Sequence, residues 1–247
     1  MPQLEKPGSR CRTRLIAVTA ALTICLPWVA SGEATRPAIV ELYTSQGCSS
    51  CPPAEAVIAG FANRSDVIPL AFHVDYWDGL GWRDPFSMKE ATRRQEELAR
   101  TLGLSTVGTP QILVDGRTSF WGTTRENLDK ALQAQRQAVP LLLTQKGPIL
   151  NIRATTTQRY DVYVVGYLPH AVTRIERGEN AGRTLTEVNV VRFIRKIGTS
   201  GKTGGEWSFQ LNSLPNDASR IVVFLQSPDG AIAGVQPFEQ ETPRAAG

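Results

Sequence analysis

Cys48 and Cys51, separated by Ser49 and Ser50, are the residues of this chain best suited by type and spacing to do chemistry. A pair this close closes too small a loop to be a useful framework staple, because stabilisation by a cross-link grows with the loop it closes. Redox or metal chemistry explains it better. The pair stands between a run of β-formers and a segment that opens with Pro52-Pro53, so it falls at the start of a helix. There the dipole and free N–H groups favour the thiolate, which is the reactive form. Cys48 is expected to be exposed and to attack; Cys51, one turn in, to resolve the mixed disulfide. Zinc is the competing use, but it takes about four ligands, and the only histidines are His73 and His170.

Three further groups stand out. His73 falls at the carboxyl end of an expected strand, the side where open α/β sheets place their ligands. A hydrogen-bonded structural histidine is the alternative. Asp75, Tyr76, Trp77, Trp82, Arg83 and Asp84 crowd the loop that follows. Exposed aromatics with an arginine suit a recognition surface; packing of the loop on its own domain is the other reading. Thr109-Pro110 directly precedes an expected hairpin strand.

The elements that must position these residues are legible in outline. Residues 38–44 read as a strand, 52–63 as a helix and 67–74 as a second, continuously apolar strand, which implies a parallel pair with a right-handed crossover. Ser87 and Glu90 form a capping box for a helix that ends at Gly103. Asp115-Gly116 turns a hairpin between 111–114 and 118–121, and Thr124 caps an amphipathic helix to about residue 138. Beyond Pro140 helical periodicity disappears. Apolar runs at 149–154, 160–167, 171–176, 185–197, 207–211, 221–226 and 231–235 suggest a small β-sandwich. The expected organisation is a leader over 1–32, an α/β domain over 36–139, an all-β domain over 140–240 and a tail over 241–247.

The leader is read from Arg10, Arg12 and Arg14, a short apolar stretch at 15–26 and small residues at 30–32. It implies an exported protein, periplasmic or secreted, that meets a membrane only through this segment if it stays uncleaved. Cys11 and Cys25 lie within it, so the mature chain keeps only the Cys48–Cys51 pair. The leader also carries most of the formal charge of +4, and the remainder is too nearly neutral to suggest a nucleic-acid partner. At 41% hydrophobic and 20% charged, the composition is that of a folded chain and not a disordered one. No GxGxxG or P-loop pattern is present, and no cofactor is implied.

The order strand, CxxC helix, strand, helix, X-Pro, hairpin, helix over residues 38–138 resembles the thioredoxin superfamily. The resemblance implies a thioredoxin-like α/β fold, a cis Thr109–Pro110 bond beside the disulfide, and a Thr109 backbone that grips substrate. Glu-Leu-Tyr-Thr-Ser-Gln-Gly-Cys-Ser-Ser-Cys-Pro-Pro-Ala, the stretch from Phe72 to Phe86 and Thr-Pro-Gln-Ile-Leu-Val-Asp-Gly narrow it to a family of secreted bacterial thioredoxin-like proteins of unknown function. That family usually has an aromatic where this chain has Gly108, which bears on groove shape. By the same resemblance Glu41 corresponds to the buried acid that exchanges protons with the inner cysteine, although it lies seven residues before Cys48 rather than six. A solvated edge-strand glutamate is the alternative. Phe-His-Val-Asp resembles the corresponding strand end of periplasmic disulfide oxidants.

The expected function is thiol–disulfide exchange, with Cys48, Cys51, Pro110 and Glu41 as the catalytic set and Thr109, His73, Tyr76, Trp77 and Trp82 facing substrate. With no Lys or Arg over residues 43–55, a reductase, isomerase or mild oxidant is expected rather than a strong oxidant. Expected partners are a protein or small thiol or disulfide and a separate redox partner. The rival is an envelope binding module whose CxxC is incidental or sensory; metal delivery is a third use.

Overall fold

Strand β1 (Ala38–Thr44) is buried along its whole length, as is β2 (Val67–His73), and the two pair in parallel with Ala38 opposite Val67 and Thr44 opposite His73. Their near-continuous apolar sequences have this cause: both faces of the sheet are covered. On one face Val40 and Leu42 pack with Ala54 and Ile58 of α1 (Pro52–Ala59). On the other, Ile39 and Tyr43 pack with Ala91 and Leu98 of α2 (Lys89–Thr101). These coordinates are a computed structural model, which describes Met1, Gln3 and residues 35–122, 124–136 and 138–239. Residues 4–34, which hold most of the expected leader, and the expected tail over 241–247 lie outside the described residues.

The hairpin β3 (Gln111–Val114) and β4 (Thr118–Trp121) adds antiparallel to β1, with Tyr43 opposite Gln111. Its turn has the expected chemistry: Asp115 and Gly116 both take positive φ, 52° and 63°. Thr124 caps α3 (Arg125–Leu132) by accepting from the Asn127 N–H at 3.3 Å. Gly103, at φ 67°, ends α2 as expected. Ser87 does not cap that helix. The N-cap is Met88, and the Ser87 hydroxyl donates to Asp78 at 2.7 Å, holding the preceding loop instead. Helices α1 and α3 both stop several residues short of the expected ends.

The second half of the chain contains β5 (Leu141–Lys146), β6 (Ile149–Ala154), β7 (Asp161–Arg174), β8 (Thr184–Thr199), β9 (Gly205–Gln210), β10 (Arg220–Gln226) and β11 (Ile232–Glu239). Pro140 does not divide the sheet structure. One eight-stranded mixed sheet runs β11-β10-β7-β8-β2-β1-β3-β4, so strands from both sides of Pro140 belong to it. A three-stranded sheet, β5-β6-β9, packs Leu150, Ile152 and Phe209 against Val162, Val164, Val223 and Leu225 of the large one. The sandwich expected from the short strands is thus this small sheet on an extension of the first. Strand β5, with alternating half-buried residues, is absent from the expected runs.

The two halves of the large sheet meet narrowly, at Ala71 opposite Val190. Pro69 explains why. It has no N–H for a ladder, and its carbonyl is taken by the Asn189 side-chain amide at 2.9 Å, with Asn189 itself at φ 50°.

Candidate functional site

The turn between β1 and α1 carries the cysteines. Cys48 and Cys51 are disulfide-bonded, with Cα atoms 5.4 Å apart. Pro52 and Pro53 open the helix, where their missing N–H groups cost nothing. The Ala54 and Glu55 N–H groups reach back to the Cys51 carbonyl at 2.9 and 3.1 Å. The Ser50 hydroxyl lies 3.3 Å from the Cys48 sulfur, so a serine between the cysteines does meet that sulfur. Cys48 differs from expectation in exposure. Both cysteines are 0% exposed, while Ser49 and Ser50 face solvent.

The Thr109–Pro110 bond is cis. The pairing of Tyr43 with Gln111 sets Pro110 beside the carboxyl end of β1, from which the cysteine turn departs. Trp77 ties the two together: its indole N–H donates to the Thr109 hydroxyl at 2.8 Å, and its Cβ lies 3.4 Å from where a Cβ on Gly47 would stand. Gln95 of α2 braces the same loop, donating to the Gly108 carbonyl at 2.8 Å. A Cβ on Gly108 would stand 3.2 Å from the Trp121 ring, so Trp121 fills the space beside it. Trp82 donates to the Gln46 side-chain oxygen at 3.1 Å. Of the loop aromatics Tyr76 is the one that stays open to solvent, although its hydroxyl bonds to Gln95.

Strand alternation puts Glu41 on the α2 face with Ile39 and Tyr43, away from α1. There Arg94 grips its carboxylate through Nε at 2.6 Å and Nη2 at 2.7 Å, and the Tyr43 hydroxyl donates to it at 2.8 Å. Glu41 is therefore buried, but as half of an ion pair and across the sheet from the CxxC helix.

His73 points to the opposite face, in phase with Thr44. It belongs to a buried polar cluster under the cysteine turn. Its Nδ1 lies 2.7 Å from Asp84, its Nε2 3.7 Å from Glu187 with no hydrogen-bond partner. Glu55 of α1 accepts from the Thr44 hydroxyl at 2.5 Å. Burial opposes the His73 charge, but Asp84, then Glu187 and Glu55, outweigh it and raise its pKa to about 9. Burial pushes Glu187 up to about 7 against the pull of His73. Burial likewise raises Glu55, opposed by His73 and the Thr44 bond. Asp84 also pays for burial, yet His73 and the N–H groups of Gln46 and Phe86 bring it below its ordinary value. Both effects of Asp84, its charge and its hydrogen bond, favour a proton on His73, shared across the 2.7 Å Nδ1–Asp84 contact.

Gln46 is the hub of this cluster. Its N–H donates to Asp84 at 2.8 Å and its side-chain amide to Glu187 at 2.9 Å. Its own carbonyl accepts from Asn180 at 2.9 Å. Gln46, Glu55, Asn180 and Glu187 were not anticipated as site residues. For Glu187 a signal existed: it lies two residues from buried Leu185, and so on the inward phase of its strand. Asn180, in a loop more than a hundred residues away, carries no such mark.

Three comparisons bear on identity. A search of curated proteins finds no match. The crystal structure of protein AGR_C_4864 from Agrobacterium tumefaciens is similar, with a TM-score of 0.73 at 26% identity over 85% of this chain and 98% of that one. Residues 39–226, which include the cysteine turn, the cis proline, His73 and Glu187, match the family described as "Protein of unknown function (DUF1223)". The chain belongs to that DUF1223 family.

Proposed function

We propose that this chain is an exported thiol–disulfide oxidoreductase with a thioredoxin-like site. The observation that carries the reading is a closely spaced cysteine pair at the start of α1, together with a cis Thr109–Pro110 bond at the start of the hairpin that pairs with β1. In the reduced protein the Cys48 thiolate attacks a substrate disulfide, one substrate sulfur leaves as a thiolate, and a mixed disulfide forms. Cys51 then attacks Cys48, closing the internal disulfide and releasing the second substrate thiolate. Two electrons pass to substrate; run in reverse, the same steps make the protein an oxidant. The Cys51 thiol must lose its proton to attack. Glu41 is ion-paired on the other face, so the acid on the cysteine side that suits this role is Glu55, which follows Cys51 by one helical turn. In the cluster around it burial pushes Glu187 up to about 7, which suits proton exchange near neutral pH.

The test is insulin reduction by the mature protein with dithiothreitol as electron source. Cys48→Ser is expected to bring the rate down to that of dithiothreitol alone, and Cys51→Ser to accumulate mixed disulfides. Wild-type protein that gives no acceleration would overturn the reading. The burial of both sulfurs favours one rival, an envelope binding module with a non-catalytic CxxC. Under it wild type and Cys48→Ser would be equally inert. Export is tested separately: the protein recovered from the envelope is expected to lack roughly its first thirty residues by mass. A full-length chain in the cytosol would refute it.

A further inference from the structure

A disulfide whose sulfurs are both 0% exposed cannot be attacked as it stands. The segment bonded across the turn is the β7–β8 connection, residues 175–183. Asn180 donates through its side-chain amide to the carbonyls of Gln46 and Cys48, each at 2.9 Å, and Glu179 accepts from the Ser49 N–H at 3.0 Å. Gly178 lies against the aromatic loop, where a Cβ on it would stand 3.0 Å from the Trp82 Cβ. The connection thus joins the cysteine turn to the loop that carries Trp77 and Trp82.

We propose that residues 178–182 form a lid over the Cys48–Cys51 disulfide that must lift for exchange to occur. The inference rests on the oxidoreductase reading and adds a regulation to it. Three features make the tip movable. Its base is fixed by buried Ile175, and by backbone bonds from Ile175 to Arg183 at 2.9 Å and from Gly182 to Ile175 at 2.8 Å. Within the tip Asn180 is the buried residue; Glu179, Ala181 and Gly182 face solvent, so lifting it exposes little apolar surface. Such segments belong to the low-stability end of a fold. Gly178 and Gly182, at φ 78° and 81°, flank Asn180 and can absorb the backbone change without a Cβ penalty. What holds the lid down is a small polar set: two buried hydrogen bonds from Asn180 and an exposed one from the Ser49 N–H to Glu179, which water can replace once the tip lifts.

The experiment follows reduction of the oxidised mature protein by dithiothreitol. A dithiothreitol thiolate attacks one sulfur, the Cys48–Cys51 bond breaks, and the freed cysteine takes up a proton. The second dithiothreitol thiolate then releases the protein and closes the cyclic disulfide. Wild type is expected to react at least tenfold more slowly than a Cys-Ser-Ser-Cys peptide. Asn180→Asp keeps the side-chain shape but sets a carboxylate against two carbonyl oxygens; Asn180→Ala removes the donor. Each is expected to speed reduction about tenfold or more, from two lost hydrogen bonds. Hydrogen exchange at the Ser49 amide should quicken in parallel, and reduction should stay nearly independent of urea below the unfolding transition, as a local opening requires. Wild type that reacts as fast as the peptide, variants that react like wild type, or reduction that rises with urea as steeply as global unfolding would each overturn the lid. The readout needs no protein substrate, so it separates from the parent reading. Fast variants that never reduce insulin would keep the lid and lose the oxidoreductase; insulin-active protein with unresponsive variants would do the reverse.

Discussion

Arg94→Met is expected to destabilise the fold by about 3–5 kcal/mol, the usual result of stranding one half of a buried ion pair. Arg94 is 5% exposed, and its guanidinium forks onto Glu41 at 2.6 and 2.7 Å. It lies 5.2 Å from the ring centre of Tyr163 and 5.1 Å from that of Phe224, so strands of the second half enclose a charge pair rooted in the first. Without Arg94 the Glu41 carboxylate keeps only the Tyr43 hydroxyl. The double variant Arg94→Met/Glu41→Leu should recover most of the loss, because it removes both charges from an apolar site. Urea denaturation of wild type and the two variants measures the effect. A loss under about 1 kcal/mol for Arg94→Met, within the range of an exposed pair, would show the pair to be dispensable. The same series bears on Glu41: Glu41→Gln should lower stability and leave the pH dependence of disulfide exchange where it was.

Stability is also expected to decline from pH 5 to pH 9.5. His73 rises from 6.5 to about 9 and Glu187 from 4.5 to about 7 in the folded protein. Each therefore binds its proton more tightly folded than unfolded. That contribution is complete below the unfolded values and is lost as pH climbs through about 7 for Glu187 and about 9 for His73. Glu55, raised as well, adds in the same direction. Asp84, lowered, acts in the opposite sense and only in more acid solution. Each of the two larger shifts corresponds to roughly 3 kcal/mol. Urea denaturation at pH 5, 7 and 9.5 should show Glu187→Gln flattening the first interval and His73→Gln the second. Equal slopes between pH 7 and 9.5 for wild type and His73→Gln would show that the imidazolium does not hold the cluster.

The parts legible in the sequence are those set by neighbouring residues. Asp115-Gly116 needed only turn chemistry, Thr124 only its cap, and β1 and β2 only their apolar composition. Glu41 shows the limit. Alternation places it with Ile39 and Tyr43, but which helix covers that face depends on where the chain goes after β2. The join of β8 to β2 was invisible for a similar reason. It rests on Asn189 meeting Pro69, residues with no local pattern between them. Once Pro140 is taken as a boundary, polar residues beyond it read as the outer face of a separate sandwich. Glu187 and Asn180, which reach the cysteine turn, were lost there.

That narrow join has a consequence for how the molecule comes into being. Val165, Val191, Val222 and Phe224 share one core with Ile39, Leu70 and Phe72. A chain emerging from the ribosome therefore completes the cysteine turn and the whole of β2 long before it makes the strand that shields the edge of β2. Through that interval an apolar sheet edge is open to any extended segment nearby. Pro69 sits on it, without an N–H to offer a foreign strand. The residue that thins the finished sheet at its middle is thus also a guard during synthesis, when the nascent half-sheet is most exposed to association with other chains.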